Sequence, residues 1–399
     1  MSIFGIPNPR NVGLLALAQG FFMSVQSMAI ATTPLAGYTL LDVDKTLSTL
    51  PISLVHFSIM LTTVPASLLM GRIGRRGGFT VGALCGVISG LVSLSAIYFQ
   101  SFVLLCLGSM FQGMAAAFAW YFRFAAADAA EPALRPKVIS LVMLGGVLAG
   151  FLGPQTAKWT VHWLDPLVFA GVYVMVSVFS LIVMVLVQGI NIPALSVAEK
   201  AAGGRPMSKI IRQPAYIVAL MSSMCGYGVM TLVMSATPLA MLACGFGFGD
   251  SATVIQGHVI AMFLPSFFTG SLIQRFGVLT VIACGALIQI LCAITNLIGI
   301  EFWNFFVANV LVGLGWNFTF VGGTTLLTST YHPAERAKVQ GSHDFAVYGT
   351  TAVAAGASGV LQANIGWTVV NIAALPMMGI VLCAAIWLMR HRPHNAPWL

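Results

Sequence analysis

Twelve apolar stretches of about twenty residues run through this chain, separated by short polar or glycine- and proline-containing breaks. They lie near 11–37, 48–71, 78–98, 101–126, 137–159, 166–190, 214–240, 252–273, 277–298, 301–327, 338–362 and 366–390. A helix rises about 1.5 Å per residue, so each stretch matches one crossing of a hydrocarbon core about 30 Å thick. Only 7% of the 399 residues are charged and 58% are hydrophobic. Soluble domains carry about 25% charged residues, and a water-soluble fold could not cover this much apolar surface. The expected fold class is an all-α polytopic membrane protein with twelve transmembrane helices. Ten-residue segments alternating apolar and polar are absent, which argues against an outer-membrane barrel. Met1 to Arg10 reads as a short entry into the first helix rather than a cleaved signal.

Basic residues give the orientation. One set of connections holds Arg10, Arg72, Arg75, Arg76, Arg135, Lys137, Lys200, Arg205, Lys209, Arg212, Arg275, Arg336, Lys338, Arg390 and Arg392; the other side holds Lys45 and Lys158. By the positive-inside rule both termini are expected in the cytoplasm. The net charge of +8 is then a topology signal and calls for no nucleic-acid partner. Seven scattered cysteines form no CxxC and suggest no disulfide framework. No nucleotide-binding loop and no nucleophile–base set stands out, so neither ATP-driven transport nor catalysis is expected, and no cofactor is called for.

The chain repeats at an offset of about 200 residues. Pro132-Ala-Leu-Arg135-Pro-Lys137-Val138 matches Pro333-Ala-Glu-Arg336-Ala-Lys338-Val339, and Arg72-Ile-Gly74 matches Arg275-Phe-Gly277. The layout is two pseudo-symmetric six-helix bundles, 1–190 and 214–399, joined by a polar, basic, partly mobile linker over 191–213. This layout, with Arg72-Ile-Gly74-Arg75-Arg76 after the second run, resembles the major facilitator superfamily. The resemblance implies that Arg72, Gly74, Arg75 and Arg76 form a gating loop motif. The acidic position of that motif is Gly71 here, and Gln274 in the second half. Asp128 could replace the missing acid; alternatively Asp128 and Glu131 pair with Arg135 and Lys137 at the surface.

Two histidine–methionine patterns carry the chemistry: His258-Val-Ile-Ala-Met262 and His56-Phe-Ser-Ile-Met60. A spacing of four puts imidazole and thioether on one helix face. Met230 and Met234 share the spacing in the seventh run. Folded as a hairpin turning near 246, the seventh and eighth runs would set Met234 level with His258 and Met230 level with Met262, the two rungs about 6 Å apart. Subtracting 202 maps Met230, His258 and Met262 onto Met28, His56 and Met60, a symmetric first-half set. Thioether and imidazole without carboxylate is a soft donor set, suited to cuprous ion. Cys225 and Cys244 flank the Met230/Met234 pair as auxiliary candidates. The bland reading is that methionines fill helical cores, as expected for Met110 and Met114, and that a membrane histidine bonds a neighbour.

MxxxM in the seventh run followed by HxxxM in the eighth resembles the CcoA-type copper importers of bacterial inner membranes, over the whole chain. The resemblance implies copper as transported substrate, bound by Met230, Met234, His258 and Met262. It also implies import to the cytoplasm and supply of copper for assembly of cbb3-type cytochrome c oxidase. A cytoplasmic copper chaperone would be the receiving partner, and the protein would act as a monomer in the lipid bilayer. Relatives lacking these motifs are associated with organic substrates such as riboflavin. Two alternatives stay open: a transporter of a small organic solute such as riboflavin or a drug, and a non-transporting membrane copper sensor or assembly factor. His343 and Asp344 could couple protons, or Asp344 could cap its helix or pair with Lys338. Arg123 could anchor the bundle or face the cavity. Trp163, Trp303 and Trp367 are expected as interfacial anchors.

Overall fold

The computed structural model describes residues 9–122, 125–126, 141–142, 145–191, 205–331 and 335–391. Arg123, Asp128, the repeat segment 132–138 and linker residues 192–204 lie outside them. Every element within them is helical: α1 Pro9–Leu40, α2 Leu50–Tyr98, α3 Phe102–Ala119, α4 Gly145–Thr160, α5 Ala170–Gln188, α6 Met207–Ile210, α7 Pro214–Ala243, α8 Phe248–Phe263, α9 Ser266–Phe276, α10 Val278–Ile298, α11 Phe302–Thr328, α12 Arg336–Asn364 and α13 Trp367–His391. Local chemistry marks several starts. Pro9 and Pro214 open α1 and α7, where a missing N–H costs nothing. Ser101 Oγ accepts from Leu104 N at the head of α3, and Asp250 accepts from Gly247 N at the head of α8.

Among the described residues, each of the twelve apolar runs is largely helical. By length and composition, eight described helices could cross a membrane, and the α8–α9 pair, bent by 44°, would make a ninth. The others fall short for local reasons. Leu50–Ala66 is a shorter apolar helix, α4 begins next to residues outside the described set, and α12 carries Gln340, Ser342, His343, Asp344, Thr350 and Thr351.

The short breaks within each half are sharp turns. Between the second and third runs two helical segments of α2 meet at a kink whose one non-helical residue is Gly74, at φ 80° and ψ 166°. Gly277, its partner in the repeat, has φ 83° and ψ 149° between α9 and α10. Both hairpins thus turn on one left-handed residue, which glycine adopts without a Cβ clash.

The helices pack as two groups that meet along two lines. α1, α2, α3, α4 and α5 pack together, as do α7, α8, α10, α11, α12 and α13; α2 meets α12, α4 meets α8, and α1 meets α7 between them. Glycines allow the α4–α8 approach: a Cβ at Gly146 would come within 2.7 Å of the Phe263 ring, and one at Gly150 within 2.8 Å of Ile260. The linker's end is docked rather than loose. The Arg205 guanidinium grips the buried Glu335 carboxylate at 2.7 and 2.8 Å and donates to the Thr330 carbonyl, which Gln213 also reaches. That hydrogen bond to Glu335 holds the Arg205 guanidinium above its ordinary pKa. Lys338 donates to the Arg205 carbonyl, and the ion-pair partner of Asp344 among the described residues is His343. Trp163 and Trp303 are exposed, as interfacial anchors would be, whereas the Trp367 ring packs 5.5 Å from Phe305.

Candidate functional site

A cavity of about 760 Å³, its open mouth included, lies where the two groups meet. Met23, Gln26, Ser27 and Ile30 of α1 face it, as do Tyr227, Met230, Thr231, Met234 and Ser235 of α7. Each set follows the i, i+3, i+4, i+7 rhythm of one helix face. α2 adds Ile52, Val55 and His56; α8 adds Val259, Met262 and Phe263. Four thioethers and one imidazole thus share a wall with two glutamines, of which Gln112 donates to Gln26 Oε1 at 2.8 Å. No carboxylate stands among the described lining residues. Tyr227 anchors an aromatic floor, its ring 5.4 Å from Trp316, 5.9 Å from Tyr348 and 6.2 Å from His56.

The structure separates the residues singled out from sequence. Met230, Met234, Met262 and His56 face the cavity. His258 does not. It is buried, and its Nδ1 lies 2.9 Å from the Asn309 carbonyl on α11. On α8 the cavity face is Val259, Met262 and Phe263; His258 sits further round the helix and does not join Met234 on the cavity wall. Met28 is buried with Val25, Leu35 and Val161, off the α1 cavity face. Met60 is partly buried across the seam from Gly349, where a Cβ would lie 3.2 Å from its sulfur. Cys225 is partly buried beside the core, Cys244 is exposed at the end of α7, and neither lines the cavity.

Sequence reasoning passed over Met23 and Gln26. On the cavity faces, 23, 26, 27 and 30 correspond to 227, 230, 231 and 234, an offset of 204 rather than 202. Met230 therefore corresponds to Gln26, and the match with Met28 is one of sequence spacing only. The helical rhythm around Met23 was the signal that could have found it.

Elsewhere, His343 is buried with Nδ1 3.0 Å from Asp344 Oδ1. Of the described carboxylates, Asp344 alone lies beyond the first turn of a helix. In the loop motif, Arg76 Nε donates to Gln188 Oε1 at 3.1 Å, and the Arg75 guanidinium lies 5.4 Å from the Tyr121 ring centre. Both contacts stay within the first group of helices. A second cavity, among Phe79, Phe118, Phe122 and Val183, is apolar and lies inside that group; none of the residues singled out lines it.

Five hydrogen bonds among the described residues join the two groups toward the end opposite Pro9 and His391. Thr49 Oγ1 and Ser53 Oγ donate to the carbonyls of Ala355 and Ala352 at 2.7 and 2.6 Å, and the Gly359 N–H returns to Thr49 Oγ1. Gln155 donates to Gln256 at 3.0 Å and Lys158 to Thr253 at 2.6 Å. Two groups of helices, latched at one end around a central cavity, are what alternating access requires.

The family model described as Major Facilitator Superfamily matches residues 13–257 and 219–398. The chain is 37% identical to the riboflavin transporter RfnT of Brucella anthropi over 389 residues, 97% of each chain. It is 27% identical to the uncharacterized MFS-type transporter YddS of Bacillus subtilis, covering 83% of this chain and 81% of that protein. It is 24% identical to YdeG of the same organism, likewise an uncharacterized MFS-type transporter, over 81% of this chain and 80% of that one. With helical spans throughout, two groups meeting at a central cavity and a match running nearly end to end, this multi-pass membrane protein is a secondary transporter that belongs to the major facilitator superfamily.

Proposed function

We propose that the cargo is cuprous copper, carried through the central cavity by alternating access. The observation that carries this reading is the convergence of Met23, Met230, Met234, Met262 and His56 on a wall with no carboxylate among its described residues. Thioether and imidazole are soft neutral donors that select cuprous ion over hard cations. They also hold it weakly enough for release, which a carrier needs. His258, buried beside Met262, Cys225 and Cys244 would be auxiliary; the His343–Asp344 pair would relay protons. The bundles are placed at 1–190 and 214–399, both termini in the cytoplasm of a bacterial inner membrane, with the latched end outward. Import would supply copper for oxidase assembly.

The second reading is a small organic solute such as riboflavin. It is favoured by the relationship to RfnT, and on relatedness alone it stands ahead of copper. Trp120 and Tyr227 could stack on a planar ring, while Gln26 and Gln112 could hydrogen-bond its edge. The sensor reading has no such support, because the family is one of transporters.

Uptake separates the readings. Cells lacking their own copper and riboflavin importers are given radioactive copper or radioactive riboflavin. Copper accumulation that falls to background in a Met230→Ala, Met262→Ala double variant supports the first reading. Riboflavin accumulation without copper accumulation establishes the second.

A further inference from the structure

His56 and His258 sit one repeat apart in sequence, yet their surroundings differ. His258 is engaged through one nitrogen: its Nδ1 meets the Asn309 carbonyl at 2.9 Å, and α11 approaches so closely that a Cβ at Gly313 would lie 3.2 Å from that nitrogen. His56 lines the cavity and touches Tyr227 edge-on. Each imidazole keeps one buried nitrogen with no hydrogen-bond partner among the described residues, Nδ1 of His56 and Nε2 of His258, but of the two only His56 lines the cavity. A buried polar nitrogen without a partner is costly and asks for an explanation. A cation held at that wall supplies one, because a neutral imidazole offers a lone pair to a metal.

The geometry points to His56, from the first half, as the imidazole that completes the cargo site of Met230, Met234 and Met262 from the second, so that the ligand set spans the seam between the halves. This rests on the cuprous reading above. His258 then acts as a positioning residue: its bond to Asn309 ties α8 to α11 and sets the direction of Met262, one turn further on.

The placement couples coordination to conformation. His56 lies one turn beyond Ser53, whose hydroxyl is bonded to the Ala352 carbonyl across the seam. While that latch is closed, imidazole and thioethers share one cavity. Parting the halves there moves His56 with one bundle and the three methionines with the other. The ion is then left with thioethers alone, a weaker set, and exchange becomes easier.

The test uses the full-length protein in lipid nanodiscs, titrated with cuprous ion against a chromophoric chelator under reductant, and X-ray absorption of the loaded samples. Wild type is expected to show both imidazole and sulfur scattering. His56→Leu should lose the imidazole signal and bind about tenfold more weakly or worse, while His56→Met should recover affinity to within about threefold with sulfur scattering only. His258→Leu should keep the imidazole signal. A packing role for His56 would make the Leu and Met variants alike, so equal affinities overturn the proposal, as does an imidazole signal that survives in His56→Leu. Absence of copper binding in wild type, alongside riboflavin uptake, overturns the cuprous reading and this inference with it. Copper uptake dependent on Met230 and Met262 but indifferent to His56→Leu overturns the inference alone.

Discussion

His258 and Met262 are one helical turn apart, yet only the methionine reaches the cavity. Successive residues turn about 100° around a helix, and the α8 cavity face is centred near Val259 and Phe263. Met262 stands at the edge of that face and His258 beyond it, against α11. At this scale the copper reading makes a sharp prediction. Met262→Leu keeps the side-chain volume and removes only the sulfur, so its effect on stability should be below about 1.5 kcal/mol. Copper uptake should nevertheless drop about tenfold or more if the thioether is a ligand. Parallel melting curves and uptake rates check this; unchanged uptake would remove Met262 from the site.

The element that most needs support is the broken eighth span. Pro265 lacks an N–H and interrupts the ladder between α8 and α9, freeing carbonyls inside the bent span. Asn317 of α11 fills the gap: its Nδ2 donates to the Met262 carbonyl and to Ser266 Oγ, each at 2.7 Å, and its Oδ1 accepts from Thr269 at 2.7 Å. Asn317→Leu should therefore cost about 1–3 kcal/mol for the polar groups left unpaired. It should also reduce transport of whichever solute is carried, since Met262 sits on the break. Thermal unfolding in detergent measures the first effect; an unchanged midpoint would mean that another group satisfies the Met262 carbonyl. The two one-residue turns make a second case. Gly277→Ala places a Cβ at φ 83°, a strain of about 1–2 kcal/mol, while the space around it is open. The melting point should fall without an accompanying steric clash, and Gly74→Ala should behave alike.

Across the whole molecule, function depends on the seam. Ser53 and Ala352 stand close enough to bond directly, so cysteines at both positions should cross-link under oxidant and hold that end shut. Uptake of the cargo, copper or riboflavin, should stop in the oxidised double variant and return with reductant; continued uptake by fully cross-linked protein would show that the opening lies elsewhere. The docked linker end offers a separate check. Glu335→Gln weakens the charged grip on Arg205, and limited proteolysis over 205–213 should become faster while cargo affinity is unchanged.

Spans, repeat and hairpin glycines were legible in the chain because they rest on local physics. An apolar run of the right length must cross a bilayer, and a left-handed turn selects glycine whether it is numbered 74 or 277. Met230, Met234 and Met262 could be picked out for the same reason, from one helix and one spacing at a time. Tertiary structure alone decided which of these side chains meet. The phase of each helix about its own axis is set by neighbours distant in sequence: α11 draws His258 away through Asn309, α1 presents Met23 rather than Met28, and α2 brings His56 across the seam. Spacing records that residues share a helix face; only packing determines what that face looks upon.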